Sequence, residues 1–253
     1  MKKAFLVAVC AVGAGAMVLA AEDGKPRADS HTHATPKPRT AEHEPAKKGA
    51  PRNLLPNGSF EKGKRGLEGW QRPDGLTTFW VSRPDGPKGQ KCLMIDTDVY
   101  ETEVKQWQEA LKENPNARPP RKTPTSGPKY DTIGGTYGVP FWSQPIPVRK
   151  GAAYRISAEM KGASAGDVFP KVFVKGFTDI KGRERKVYEF YLACRNSTGR
   201  WQTYTSKPFH PSRTIGRAPS ADRMKVMVYA YWPPGAYYFD NIRIEEVPDE
   251  DGD

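Results

Sequence analysis

Eight short segments of this chain alternate apolar with polar side chains and are rich in β-branched and aromatic residues. They run from Thr77 to Ser82, Lys91 to Asp96, Ala153 to Lys161, Lys171 to Phe177, Val187 to Cys194, Trp201 to Phe209, Lys225 to Tyr231 and Ala236 to Glu246. A period of two places every second side chain on one face of an extended strand. Gly, Pro, Asn and Asp stand between the segments, as turns between strands require. Strands of this kind must bury one face each, and two antiparallel sheets stacked face to face achieve it. The expected fold class is therefore all-β, an antiparallel β-sandwich.

One stretch departs from that pattern. Val104, Trp107 and Leu111 recur at helical spacing between Asp98 and Asn114. Asp98 stands three residues before Glu101 as a capping box would, and Pro115 ends the run. Beyond it the chain passes through Asn-Pro, Arg-Pro-Pro-Arg and Gly-Gly segments before Val139. Residues 98–139 are thus read as an insertion carrying one helix, and excursions of this length are commonly functional loops. Tyr130, Tyr137, Phe141 and Trp142 near its end argue against a wholly disordered segment.

The termini read differently. Lys2 and Lys3, an apolar run from Ala4 to Leu19 and small residues at Ala20 and Ala21 form the charged, apolar and cleavage regions of a secretory signal, residues 1–20. The run is short for a membrane anchor and is followed by polar sequence, so no transmembrane segment is expected after cleavage. Residues 21–52 are rich in Pro, Ala, Lys, Thr and Glu with scarcely any large apolar side chain, the composition of a flexible linker. His31, His33 and His43 fall there and read as solvated tail residues. The folded region spans residues 53–248, and residues 249–253 form an acidic tail. The protein is expected to be exported, to the periplasm, the medium or the cell surface.

Removal of the signal takes Cys10 with it and leaves Cys92 and Cys194. In an oxidising compartment they could bridge; in strands they could equally be buried thiols packing as small apolar groups. The 40 Lys and Arg outnumber the 29 Asp and Glu, a formal charge of +11 that permits an acidic partner. The basic residues are spread along the chain and no nucleic-acid motif accompanies them, so nucleic-acid binding is not expected.

Several segments carry a family resemblance. Asn53-Leu54-Leu55-Pro56-Asn57-Gly58-Ser59-Phe60-Glu61 followed by Gly69-Trp70 resembles the first strand of carbohydrate-binding modules of the galactose-binding-like jelly-roll type. Ser143 to Gly162 is similar to their central strand pair, Gly199 to Tyr204 to the turn and strand that follow, and Tyr237 to Ile244 to the last strand. The resemblance implies a jelly-roll sandwich that binds a polysaccharide or other glycan without cleaving it. It also implies a structural calcium ion tying the first strand to the last through Glu61 and Asp240, a reasonable use of hard oxygen ligands. Caps or pairing with nearby Lys or Arg are the alternative roles for those two carboxylates.

Sugar binding needs flat aromatic faces with polar groups around them, which such modules set on a concave sheet face. Alternation in Lys225 to Trp232 turns Val226, Val228 and Ala230 one way and Met227, Tyr229 and Tyr231 the other. Tyr154, Ile156, Ala158 and Met160 likewise point inward, and Arg155, Ser157, Glu159 and Lys161 outward. If these outward sets share a sheet, Glu159 lies near Tyr229 and Tyr231, with Lys175 and Tyr191 from neighbouring strands completing a platform. Trp142 and Trp232 are rim candidates, whereas Trp70 and Trp201 suit the core. The competing account is that these tyrosines are ordinary strand residues and the sandwich binds envelope proteins. No catalytic motif is legible: His210 stands between Phe209 and Pro211 without a nucleophile, and only Glu159 with Asp179 offers a conceivable acid pair. A non-enzymatic role is expected.

Overall fold

The computed structural model describes residues 52–249 except 65, 128 and 214–218. The expected signal, nearly all of the linker and the end of the acidic tail lie outside the described residues. Ten strands and two helices follow in the order β1 (Thr78–Ser82), β2 (Lys91–Asp96), α1 (Glu101–Glu113), α2 (Ile133–Thr136), β3 (Val139–Trp142), β4 (Ile146–Pro147), β5 (Ala153–Lys161), β6 (Lys171–Ile180), β7 (Arg183–Ala193), β8 (Gln202–Thr205), β9 (Arg223–Ala230) and β10 (Ala236–Val247).

They form two antiparallel sheets. The first has the order β1-β2-β10-β5-β8 and the second β3-β9-β6-β7, with β4 also paired to β9. Between the sheets lies a core to which both contribute alternate residues: Ile156, Met160, Phe239, Ile242 and Ile244 from the first, Val172, Val174, Val226 and Val228 from the second, all fully buried. The period-two pattern is plainest in β5 and in the first seven residues of β6, where alternate side chains enter the core. The fold is an all-β jelly-roll sandwich.

The opening segment explains why Asn53, Asn57, Gly58, Phe60 and Trp70 stand where they do. The Asn53 amide oxygen accepts from the backbone N–H groups of Leu55 and Ile244, and its nitrogen donates to the Ile242 carbonyl at 3.0 Å. Gly58 then passes so close to β10 that a Cβ would sit 1.9 Å from the Ile242 oxygen, a space only glycine leaves open. Asn57 holds the following loop by bonds to Lys62 and Glu68. Phe60 and Trp70 pack at 5.0 Å, with the Trp70 indole donating to the Asn57 carbonyl. Trp70 is a core residue, as its sequence neighbourhood suggests.

Three expectations are corrected. The helix starts at Glu101 with Tyr100 as its unassisted cap; Asp98 instead accepts from the Thr125 hydroxyl, so there is no capping box. β6 and β7 extend beyond the expected limits into one long hairpin, turning at Lys181 and Gly182, both with positive φ. Trp201 is partly exposed, donating to the Pro84 carbonyl at 2.7 Å and lying under the Arg83 guanidinium.

The insertion packs on the sandwich through α1 and Ile133. Val104 and Trp107 of α1 are buried in the core cluster, and the Trp107 indole donates to the Asp74 carbonyl at 3.0 Å. Gly138 closes it with positive φ, where any side chain would collide with Tyr229 and Tyr231. Cys92 and Cys194 are both buried free thiols, each pushed up to about 12 by burial. They pack as the small apolar residues their strands require. Among the described residues, no helix is long and apolar enough to cross a membrane.

Candidate functional site

The outward face of the second sheet carries the chemistry. Register across β3, β9, β6 and β7 brings Trp142, Met227, Phe173 and Tyr191 into one row that crosses four strands. Directly opposed residues on one face lie within side-chain contact. The rings of Phe173 and Tyr191 are 5.6 Å apart, and Tyr229 meets Phe173 edge-on at 6.0 Å. Tyr191 is 45% exposed, so the row ends in solvent. It is sequence alternation from Lys171 to Phe177 that sets Lys171, Phe173, Lys175 and Phe177 outward, while Val172 and Val174 enter the core.

Ammonium groups flank the row on both sides. Lys171 Nζ lies 5.2 Å from the Tyr191 ring and 6.0 Å from Phe173. Lys175 Nζ lies 5.3 Å from Trp142 and 5.1 Å from Phe173. Both are in cation–π range, where the ring quadrupole attracts the charge. Lys186 and, at 3.5 Å, Lys175 share one Glu189 oxygen, and the Lys186 hydrogen bond holds the Glu189 carboxyl below its ordinary range.

Two depressions meet at Trp142. One, of about 460 Å³, lies between the sheet and α1 and is lined by Glu101, Lys105, Gln108, Tyr137, Trp142 and Tyr229 among others. The second, of about 700 Å³, runs past Gln71, Gln144, Phe177, Glu184, Arg223 and Lys225. Helix α1 thus forms one wall of a groove whose floor holds Trp142, Met227 and Tyr229, and the row continues from it across the open sheet face to Phe173 and Tyr191. Glutamines, lysines and carboxylates along an apolar floor are the side chains that meet hydroxyl groups.

The sequence-predicted platform is partly assembled. Trp142, Lys175, Tyr191 and Tyr229 share this face. Tyr231 follows Tyr229 at 5.5 Å, but the insertion covers that end: the Tyr229 hydroxyl donates to the Tyr137 carbonyl at 2.8 Å, and burial raises its pKa. Trp232 stacks on the exposed Tyr130 at 5.2 Å, beyond the covered end. Glu159 does not belong to the platform. Its strand, β5, is in the first sheet, so it faces away from Tyr229 and pairs with Arg83. The same separation parts Glu159 from Asp179, which sits on β6 and pairs with Arg223 at 2.9 Å. His210 contacts Asp249 at 3.1 Å through its ring nitrogen. Phe173 and Phe177 escaped the sequence reading although alternation with Lys175 marks them; Arg83, in a loop, carried no such signal.

Asp240 is fully buried and engaged by the Arg83 guanidinium and the Asn241 backbone N–H. Glu61 is exposed and accepts from the Lys91 backbone at 3.0 Å. Calcium wants six to eight oxygens. Among the described residues no group of three acidic, His or Cys side chains converges, and the position beside Asp240 is taken by an arginine. An ion held by Glu61, Asp240 and backbone carbonyls would have to displace Arg83 from the Asp240 carboxylate. The charge that closes the sandwich here is a guanidinium, stacked 3.7 Å from the Trp201 ring and bonded to carboxylates of β5 and β10.

The fold and site define a jelly-roll sandwich with an aromatic groove on one sheet. No family model matches the chain, and no curated protein does. Among solved structures it is similar to a carbohydrate-binding module of family 61 solved with β-1,4-galactotriose, at 16% identity over 78% of this chain and 99% of that one, TM-score 0.37. It is also similar to the xylan-binding domain CBM22-1 of Paenibacillus barcinonensis, at 13% identity over 79% and 97%, TM-score 0.38. A third similar structure is the enzymatically active domain of a bacteriophage CBA120 tailspike, at 10% identity and TM-score 0.43, where 77% of this chain spans only 21% of that one. Likenesses of this size bear on neither ligand nor partner.

Proposed function

We propose that this chain is a non-catalytic glycan-binding module that holds its ligand in the groove on the outer face of β3-β9-β6-β7. The observation that carries the reading is the cross-strand row Trp142, Met227, Phe173 and Tyr191, three aromatic rings in register beside a groove lined with hydrogen-bonding side chains. Pyranose rings present flat C–H faces to such a floor and hydroxyls to its rim. Export, supported by Lys2 to Ala21, would put the module where polysaccharides are found. A periplasmic, cell-surface or secreted location belongs to the same proposal.

A screen of the mature protein against soluble and insoluble polysaccharides tests the reading, repeated for Trp142→Ala and Tyr191→Ala. Saturable binding that each substitution weakens at least tenfold, about 1.4 kcal/mol, supports it. A folded protein that retains no glycan overturns it. Tyr229 and Tyr231 under the insertion favour the second reading at that end of the strip, an interface with an envelope protein.

A further inference from the structure

The charge along the aromatic row is not evenly matched. At the β4 end, Arg223 and Lys225 are answered by Asp179, Asp222 and Glu184. Over α1, Lys105 is answered by Glu101. Around Phe173 and Tyr191 the balance fails. Lys171, Lys175 and Lys186 face the single carboxylate of Glu189, whose one oxygen serves both Lys175 and Lys186. Lys171 has no carboxylate in ion-pair reach among the described residues; its ammonium touches only the rings of Phe169, Phe173 and Tyr191. Arg195 lies over the other side of this patch, 4.3 Å from the Phe169 ring, and reaches Asp167 only at 3.9 Å. The Lys175 side chain is 18% exposed, and partial removal from water strengthens the attraction between its charge and a nearby anion.

Resting on the glycan reading above, we infer that this sheet face selects an acidic glycan, one whose sugar stacks on the row while its carboxylate or sulfate ester meets Lys171 and Lys175. Each lysine stands two positions along β6 from Phe173, next to it on the same face and about 7 Å away. A sugar ring seated on Phe173 or Tyr191 therefore has a cation within reach of its substituents whichever way it points. An ammonium bonded to an ionised group forms a charge-assisted hydrogen bond, stronger than one to a hydroxyl. A neutral sugar would leave Lys171 as it is, unanswered.

The inference is tested with paired probes that differ only in charge: polygalacturonate against its methyl ester for the carboxylate, and chondroitin sulfate against its desulfated form for the sulfate. Affinity is measured at 50 and 500 mM NaCl for the native protein, for Lys171→Gln with Lys175→Gln, and for the charge-keeping Lys171→Arg with Lys175→Arg. The expected result is at least tenfold preference for the charged member of one pair, lost with the glutamines, kept with the arginines and reduced at high salt. Equal binding of charged and neutral probes, indifferent to the glutamine pair, overturns acidic selectivity and leaves the glycan reading standing. Charged probes bound tenfold tighter but undiminished by the glutamines assign the binding to the general basic surface and also overturn it. No retention of any glycan by the folded protein overturns the underlying reading instead.

Discussion

At Arg83 a single side chain closes the first sheet. It reaches from the β1–β2 connection to Asp240 on β10 and Glu159 on β5, with Trp201 beneath it. Burial pushes the Asp240 carboxyl up to about 6 from its ordinary 3.8, outweighing the Arg83 and Asn241 hydrogen bonds that favour the carboxylate. A carboxyl raised on folding contributes stability that is whole below its unfolded pKa and is lost as pH rises through its folded one. The domain should therefore lose part of its stability between about pH 4 and 6, and Asp240→Asn should remove that component from urea midpoints measured across the range. Arg83→Met leaves the buried carboxylate without its partner and should cost about 3–5 kcal/mol at pH 8. That cost should shrink at pH 5, where Asp240 takes up a proton. A pH-independent loss below 1 kcal/mol would show that the triad contributes little. Asp240 is legible from its place in the last strand and pairing with a basic residue was one of its two expected roles, but which one was not, because a loop arginine 157 positions away leaves no periodic trace.

At the scale of elements, α1 shows what an insertion must do to stay. Its apolar side is narrow, Val104 and Trp107, and its remaining side chains are mostly charged or polar. A helix of 13 residues is marginal alone and is held by packing. Trp107→Ala should cost about 3–5 kcal/mol and release the helix locally: hydrogen exchange should quicken across Glu101–Glu113 and leave β10 protected. Uniform quickening of both would mean that the insertion and the sandwich unfold as one unit. The helix was legible from the spacing of Val104, Trp107 and Leu111. Its cap was not, since Asp98 is drawn off to Thr125, a partner supplied by the tertiary fold. β5 was legible to the residue because its buried alternation runs unbroken from Tyr154 to Lys161, and β2 because of its apolar Cys92 to Ile95; the β6–β7 hairpin was read short because Arg183 to Lys186 are all exposed and charged, which hides the period.

For the whole molecule, the partition of strands between two sheets decides function, and alternation says nothing about it. Inward and outward faces of β5, β6 and β9 were all readable, yet Glu159 and Tyr229 point to opposite sides of the sandwich because β5 joins β10 while β9 joins β6. Four of the seven candidate residues, Trp142, Lys175, Tyr191 and Tyr229, share one face, and the row that crosses it follows from register rather than from alternation. The same arrangement bears on calcium. An ion bound at a hundredfold its Kd would add about 2.7 kcal/mol; with Arg83 beside Asp240, adding calcium or chelating it should leave the urea midpoint unchanged, and a rise with calcium would show oxygen ligands recruited from elsewhere. The most direct test of the binding face is a titration of the isotope-labelled protein with an oligosaccharide of the polysaccharide it retains, followed by amide and indole NMR shifts. Shifts concentrated at Trp142, Lys171 to Lys175, Glu189 to Tyr191 and Met227 are the predicted result; shifts gathered on the opposite sheet, around Glu159, Thr203 and Tyr238, would contradict it.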